Sequence, residues 1–572
     1  MKDFFFPYYS EYQEAYPIPL ARFLPPLPMG MVRKWIQDKV PNGSWVLDPF
    51  GMNPMLALEI ANEGYQVFVV SNNPLISYEM EVLASKPAER DFASALAKFA
   101  LIKRGDERVS THLESVYLTK CSACDQLIPA HSFLWKKGDQ YPFGKIYQCP
   151  YCGDSGERQI VQFDVDRYKI FSSELHRYRA IERAMLSLET SKTNIEEMLN
   201  YILPRQLYFL FTLLRRIESS PELTKTDKVL LTALLINVCD HANVLWPYPS
   251  GKSGPKQLYL PTQFREENLW HVFERSIQRW IHLLPEVQVR YFPDIPQEKS
   301  GICLYRGSIR NLPSLLNQVP FMAAVLLFPR PNQAFWSFSA LWSSWLWGKD
   351  AVLPLRRVIE RKRFDWYWHA NALGSALLSL KRHIPKAVSL FGIAPNIEKG
   401  FLTAIVASVI AAGLAWDGIA AQERENMMQF HFKFPEQDHH PDRGVDPYTA
   451  IDEYLSRRNM PLDFLKMYAV CLYHLCQQEI GGDADRSKPR SIYQWLSDIA
   501  NQIMANQHKW RILHKGGGSL ENDYWWIKNV QRKSVNTIAD DVERDVLGFL
   551  SEKEIVLVKQ VMDYLTEKYR GL

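Results

Sequence analysis

Two hydrophobic periods organise this chain. Ser44 to Asp48 (SWVLD) and Tyr65 to Val70 (YQVFVV) are short apolar runs with the length of buried strands. Between them, Asn53 to Glu63 (NPMLALEIANE) places apolar residues at helical spacing, and Gly64 closes the helix. Strand, helix, glycine and strand in succession form one βαβ unit, which builds parallel sheet and puts ligands at the strands' carboxyl ends. Met31 to Val40 reads as a short helix, and residues 1–30, rich in Pro and Tyr, as an extended arm. The strand pattern returns at Ala323 to Phe328 (AAVLLF). It continues through a helix at Trp366 to Leu380, a strand at Ala387 to Ile393, a helix at Ile397 to Gly413 and a strand at Leu414 to Ala421. Met427 to Phe434 (MMQFHFKF) alternates like an edge strand. This order predicts an α/β fold, a doubly wound sheet split by a long insert lying against one edge. Residues 1–110 and 301–434 supply its two halves. The insert divides into a cysteine-bearing segment at 111–165 and a helical part at 166–300, which includes a helix at Ile202 to Ile217. After a polar break at 435–447, residues 448–572 read as a mainly helical C-terminal domain.

Composition narrows the picture. The 572 residues are 47% hydrophobic and 23% charged, as expected of a globular protein with large cores. A net charge of +4 is too small to argue for nucleic acid by itself, so any basic surface must be local. The N-terminal sequence lacks the basic start and apolar run of a signal peptide, and the most apolar stretch, Phe401 to Leu414, is too short to span a bilayer. These features predict a soluble, cytoplasmic protein with no membrane partner.

The strongest chemical pattern is Cys121-x2-Cys124 followed, 24 residues later, by Cys149-x2-Cys152. Two such knuckles present four thiolates to one ion, the ligand set of a zinc ribbon. Four protein ligands leave no open coordination position, so the predicted Zn²⁺ is structural. His131, between the pairs, either hydrogen-bonds a thiolate or faces water.

A second pattern is the turn Asp48-Pro49-Phe50-Gly51-Met52-Asn53 after the first strand, where a glycine next to a helix N-terminus allows close approach of a ligand. Together with SNNP at 71–74, GSIRNLPSLL at 307–316 and LFPRPN at 327–332, this turn resembles the DNA amino-methyltransferase superfamily. PRQLYFLFTLL at 204–214 and FREENLWHVFERS at 264–276 look like the helical insert of its zinc-ribbon members. ENDYWWI at 521–527 and the segment Ala539 to Leu550 resemble their C-terminal portion. The resemblance implies a class I methyltransferase-like sheet and S-adenosylmethionine as cofactor. That cofactor would lie against Asp48, Phe50, Gly51, Asn53, Ser71 and Asn73.

The chain departs from the family where chemistry is most demanding. The family's Gly-x-Gly becomes Gly51-Met52-Asn53. The acid that would hold the cofactor ribose falls on Ser71, and its counterpart at the third strand on Ser308. A serine cannot give a carboxylate's bidentate grip. In the catalytic loop the amine acceptor becomes Leu327 and the first proline Phe328. Pro329, Arg330 and Asn332 remain as catalytic candidates, Arg330 by stacking on a base and Asn332, or Gln333, as a replacement acceptor. Arg356, Arg357, Arg361, Lys362 and Arg363 form a basic run that suits phosphate contact. His439 and His440 read as a solvated linker. Two functions follow: an active DNA methyltransferase, with RNA as the lesser alternative, or a non-catalytic nucleic-acid-binding subunit on the same fold.

Overall fold

The computed structural model describes residues 6–9, 17–249, 254–296, 299–361, 364–422, 426–434, 446–458, 462–476, 485, 487–505, 510–513, 524–527, 538–551 and 555–569. His439, His440, Lys362 and Arg363, as well as residues 521–523, lie outside them. Strand β1 (Trp45–Asp48) leads through helix α1 (Pro54–Asn62) to β2 (Gln66–Ser71) and helix α2 (Pro74–Ala84). After the insert come β3 (Val289–Tyr291), β4 (Gly301–Arg306) and β5 (Phe321–Leu327). Helices α3 (Gln333–Leu346) and α4 (Trp366–Lys381), strand β6 (Ser389–Pro395), helix α5 (Lys399–Ala411) and strands β7 (Ala415–Gln422) and β8 (Met427–Lys433) complete the unit.

The eight strands form one mixed sheet in the order β3-β4-β2-β1-β5-β6-β8-β7. β1 lies parallel to both β2 and β5, so the two halves separated by the insert meet at the centre of the sheet. Neighbouring strands are parallel from β3 to β6, and β8 runs antiparallel to both β6 and β7. The order therefore turns outward in both directions from β1 and β5, which makes a topological switch point between them.

Side-chain alternation creates two cores. Val46, Val67, Val69, Val325 and Leu327 enter one, while Leu47, Phe68, Val70, Leu326 and Phe328 enter the other. The first core includes α1, α2, α3 and the helical insert. The second includes α4, α5 and the C-terminal helices Phe464–Cys476 and Pro489–Met504.

Two expectations change. Met427–Lys433 is an interior strand, not an edge. Met428, Phe430 and Phe432 are buried against the second core, and His431 on the other face is stacked by Phe6 at 3.8 Å. The insert keeps its edge only in part: residues 166–300 supply the edge strand β3, while their helices lie outside one face of the sheet, on the helices that cover it. Helix Lys225–His241 packs on α2, and helix Glu174–Leu188 packs on α3. Apolar helix stripes need an apolar partner, and a strand edge offers mainly polar backbone. Among the described residues no helix is long and apolar enough to cross a membrane.

Candidate functional site

The four predicted ligands converge. The sulfurs of Cys121, Cys124, Cys149 and Cys152 all lie within 4.8 Å of one another. The Cys121–Cys152 and Cys124–Cys149 separations are each 3.6 Å. Thiolates around a tetrahedral ion at about 2.3 Å have edges of about 3.8 Å, so this cluster can bind a metal such as zinc. The two knuckles repeat one local design. The Cys121 N–H donates to the Gln126 carbonyl and the Cys149 N–H to the Asp154 carbonyl. The residue after each second cysteine, Asp125 or Gly153, has positive φ (59° and 78°), which turns the chain back around the sulfurs. Tyr147 joins the knuckles: its hydroxyl accepts from the Ser122 N–H at 2.8 Å and donates to Asp154 at 2.7 Å. His131 touches no thiolate. Its ring lies 5.6 Å from that of His271.

Buried charge fastens this module to the helical insert. Strands Ser132–Lys136, Gly144–Gln148 and Ser155–Gln159 gain a fourth neighbour, Gln263–Glu267, from the far end of the insert. Glu266 on that strand receives two hydrogen bonds from Arg205, at 2.9 and 2.6 Å, and one from Trp135 at 2.9 Å. The Arg205 guanidinium stands over the rings of Phe133, Tyr117 and Tyr168. Lys145 and Asp164, both fully buried, pair at 3.0 Å.

At the carboxyl ends of the strands lies a cavity of about 330 Å³. It gathers three of the singled-out segments: Phe50 from the first turn, Ser308 from the turn after β4, and Pro329, Arg330 and Asn332 from the loop after β5. A second cavity of about 420 Å³ is lined by Ser71 and Asn73, and Asn72 lines both.

Several predicted cofactor residues also hold the fold. Asp48 is fully buried and accepts from the Gly51 and Phe50 N–H groups at 2.9 and 3.2 Å. Its second oxygen is buried without a hydrogen-bond partner, and burial pushes the carboxyl up to about 7 despite those two donors. Gly51 faces the neighbouring strand: a Cβ there would meet the Val70 carbonyl at 2.7 Å. Met52 lines the cavity where the family's motif would leave the turn open. Asn53 caps α1 through the Met55 N–H and donates to the Pro25 carbonyl. Asn73 caps α2 through the Leu75 N–H and donates to Ser339. Ser71, only 2% exposed, makes hydrogen-bond contact with the backbone of Asn73.

The loop after β5 is equally occupied. Leu327 is completely buried in the first core. Arg330 is held by the Asn396 carbonyl and by Glu398, with its guanidinium 5.3 Å from the Phe401 ring. Asn332 caps α3, its Oδ1 accepting from the Phe335 N–H at 2.9 Å. The Gln333 N–H donates to the Lys256 carbonyl at 2.7 Å, which closes this helix end. In the basic run, Arg356 pairs with Glu189, Arg357 is exposed, and Arg361 lines the cavity.

Sequence reasoning missed Asn72, Arg310, Trp336, Trp368 and His369, all of which line the cavity. His369 is buried, and a ring nitrogen is hydrogen-bonded to the Pro329 backbone, while Nε2 is buried without a partner. Burial pushes this imidazole down to about 3, so it is neutral. The aromatic cluster WYWH at 366–369, directly after the basic run, was the available signal. No family model, curated protein or solved structure matches this chain.

Proposed function

We propose that this chain is a methyltransferase-like, nucleic-acid-binding protein without the catalytic residues of the amino-methyltransferases, and that its four cysteines hold a structural Zn²⁺. The observation that carries this reading is the cavity at the switch point. Arg310 and Arg361 line it, each without a carboxylate partner among the described residues, and no carboxylate of those residues lines it. S-adenosylmethionine carries a net positive charge, and a site built for it needs acids at the ribose and ammonium groups. An arginine-lined wall repels it.

The sheet supports the architectural part of the reading. Its parallel strands run outward from a central switch point, and an antiparallel hairpin closes one side, as expected of a class I methyltransferase-like domain. The loss of catalysis is supported at one position: Leu327, buried in the first core, offers no acceptor for a target amine. The nucleic-acid part rests on Arg310 and Arg361, which line the cavity at the carboxyl ends of the strands.

Calorimetric titration with S-adenosylmethionine, alone and with duplex DNA, tests the reading. The expected result is no saturable cofactor binding. DNA binding should occur and weaken steeply between about 50 and 200 mM salt. Tight cofactor binding in either titration would overturn the loss of the cofactor site. Salt-insensitive or absent DNA binding would remove nucleic acid from the account.

A further inference from the structure

The arginine-lined cavity has the chemistry of an occupied site, not of an eroded one. Arg310 and Arg361 both line it, and neither has a carboxylate partner among the described residues. They are close enough that Arg310, after burial, is the next cause depressing the proton affinity of Arg361. Two unneutralised guanidiniums facing one space are mutually repulsive, and an anion between them relieves that repulsion. Arg361 is also held in place, with its guanidinium 4.4 Å from the Trp368 ring centroid. Arg330 differs, since Glu398 already neutralises it.

The rest of the wall suits a base and a sugar. Phe50, Trp336 and Trp368 present aromatic surface to the cavity. The Asn72 amide lines it with both a donor and an acceptor. His369 lines it too, and its buried Nε2 lacks any partner in the fold. A volume of about 330 Å³ falls within the size of sites for small organic ligands.

We propose that this cavity binds a nucleotide, its phosphate between Arg310 and Arg361 and its base on the aromatic wall. The proposal rests on the reading above that this site no longer takes the sulfonium cofactor. The same chemistry is presented by a free nucleoside monophosphate and by a nucleotide at the end of a strand.

The test is calorimetric titration of the full chain with adenosine 5′-monophosphate and cytidine 5′-monophosphate, and with adenosine and inorganic phosphate separately. At least one monophosphate is expected to bind at one site per chain, with the corresponding nucleoside about tenfold weaker or worse. Arg310→Gln, at an exposed position, and Arg361→Gln should each weaken the monophosphate by about tenfold, while Arg310→Lys retains most of the affinity. Competition by a 5′-phosphorylated pentanucleotide distinguishes the sources: displacement of the monophosphate assigns the site to a strand end, and no displacement assigns it to a free nucleotide. Failure of both monophosphates to bind, or binding indifferent to both arginine substitutions, would overturn the proposal. Duplex DNA binding measured on the same samples separates the two readings, because its persistence alongside that failure leaves the nucleic-acid reading standing.

Discussion

At the scale of single residues, the two best-defined energetic commitments are Glu266 and Asp48. Glu266 and Arg205 are 0% and 1% exposed, and each supplies the other's countercharge. Removing one leaves an uncompensated buried ion. Glu266→Ala is therefore expected to cost about 3–5 kcal/mol, seen as a lower thermal or denaturant midpoint. The double change Glu266→Leu with Arg205→Met should recover much of that loss, because it removes both charges and keeps the volume. A Glu266→Ala protein that unfolds together with the parent would contradict the assignment. Asp48 behaves in the opposite sense. Its folded-state pKa, about 7, lies above the unfolded value near 3.8, so the folded state holds the extra proton between these values. Its contribution is full below the unfolded value and is lost as pH rises through about 7. Asp48→Asn keeps the acceptor for Gly51 and Phe50 and removes the ionisation. The parent should therefore lose stability relative to Asp48→Asn between about pH 4 and 7, by about 1.4 kcal/mol for each pH unit crossed. Parallel pH–stability curves would show that the carboxyl is not perturbed.

At the scale of elements, what was legible in the sequence was whatever local spacing dictates. Cys121, Cys124, Cys149 and Cys152 converge because each knuckle is a tight turn whose geometry is set within a few residues. Cys149→Ser should abolish stoichiometric zinc in elemental analysis and loosen the strands around Tyr147, since metal binding and local folding are coupled. Unchanged zinc content would place the metal elsewhere. The segments at 204–214 and 264–276 were legible as sequence, but their meeting through Arg205 and Glu266 was not, because that pairing spans 61 residues. The same limit hid the cavity wall. Asn53, Asn73 and Asn332, read as ligand contacts, also cap helices, a role that asparagine at a helix start fills without any ligand. Arg310, Trp336 and His369 come from three separate elements, and no spacing rule brings them together.

At the scale of the whole molecule, the shared sheet was readable and the strand order was not. Periodicity and βαβ order placed Ser44 to Asp48 and Ala323 to Phe328 in one sheet, and there the two strands pair. Neither signal could show that β8 inserts between β6 and β7, because both faces of β8 are covered by residues distant in the chain, among them Phe6 and Tyr9. The resulting molecule has a sheet with helices on both faces, the insert packed on those of one face and the C-terminal helices on those of the other, with its cavity at the switch point. The central claim is that this architecture serves nucleic-acid binding without methyl transfer. The most direct measurement is tritium transfer from labelled S-adenosylmethionine onto unmethylated genomic DNA, at a protein concentration where DNA is retained on a filter. The account predicts retained DNA with no label above a protein-free control. Label that accumulates with time on the retained DNA, and that vanishes in Asn332→Ala, would contradict it and make Asn332 the amine acceptor.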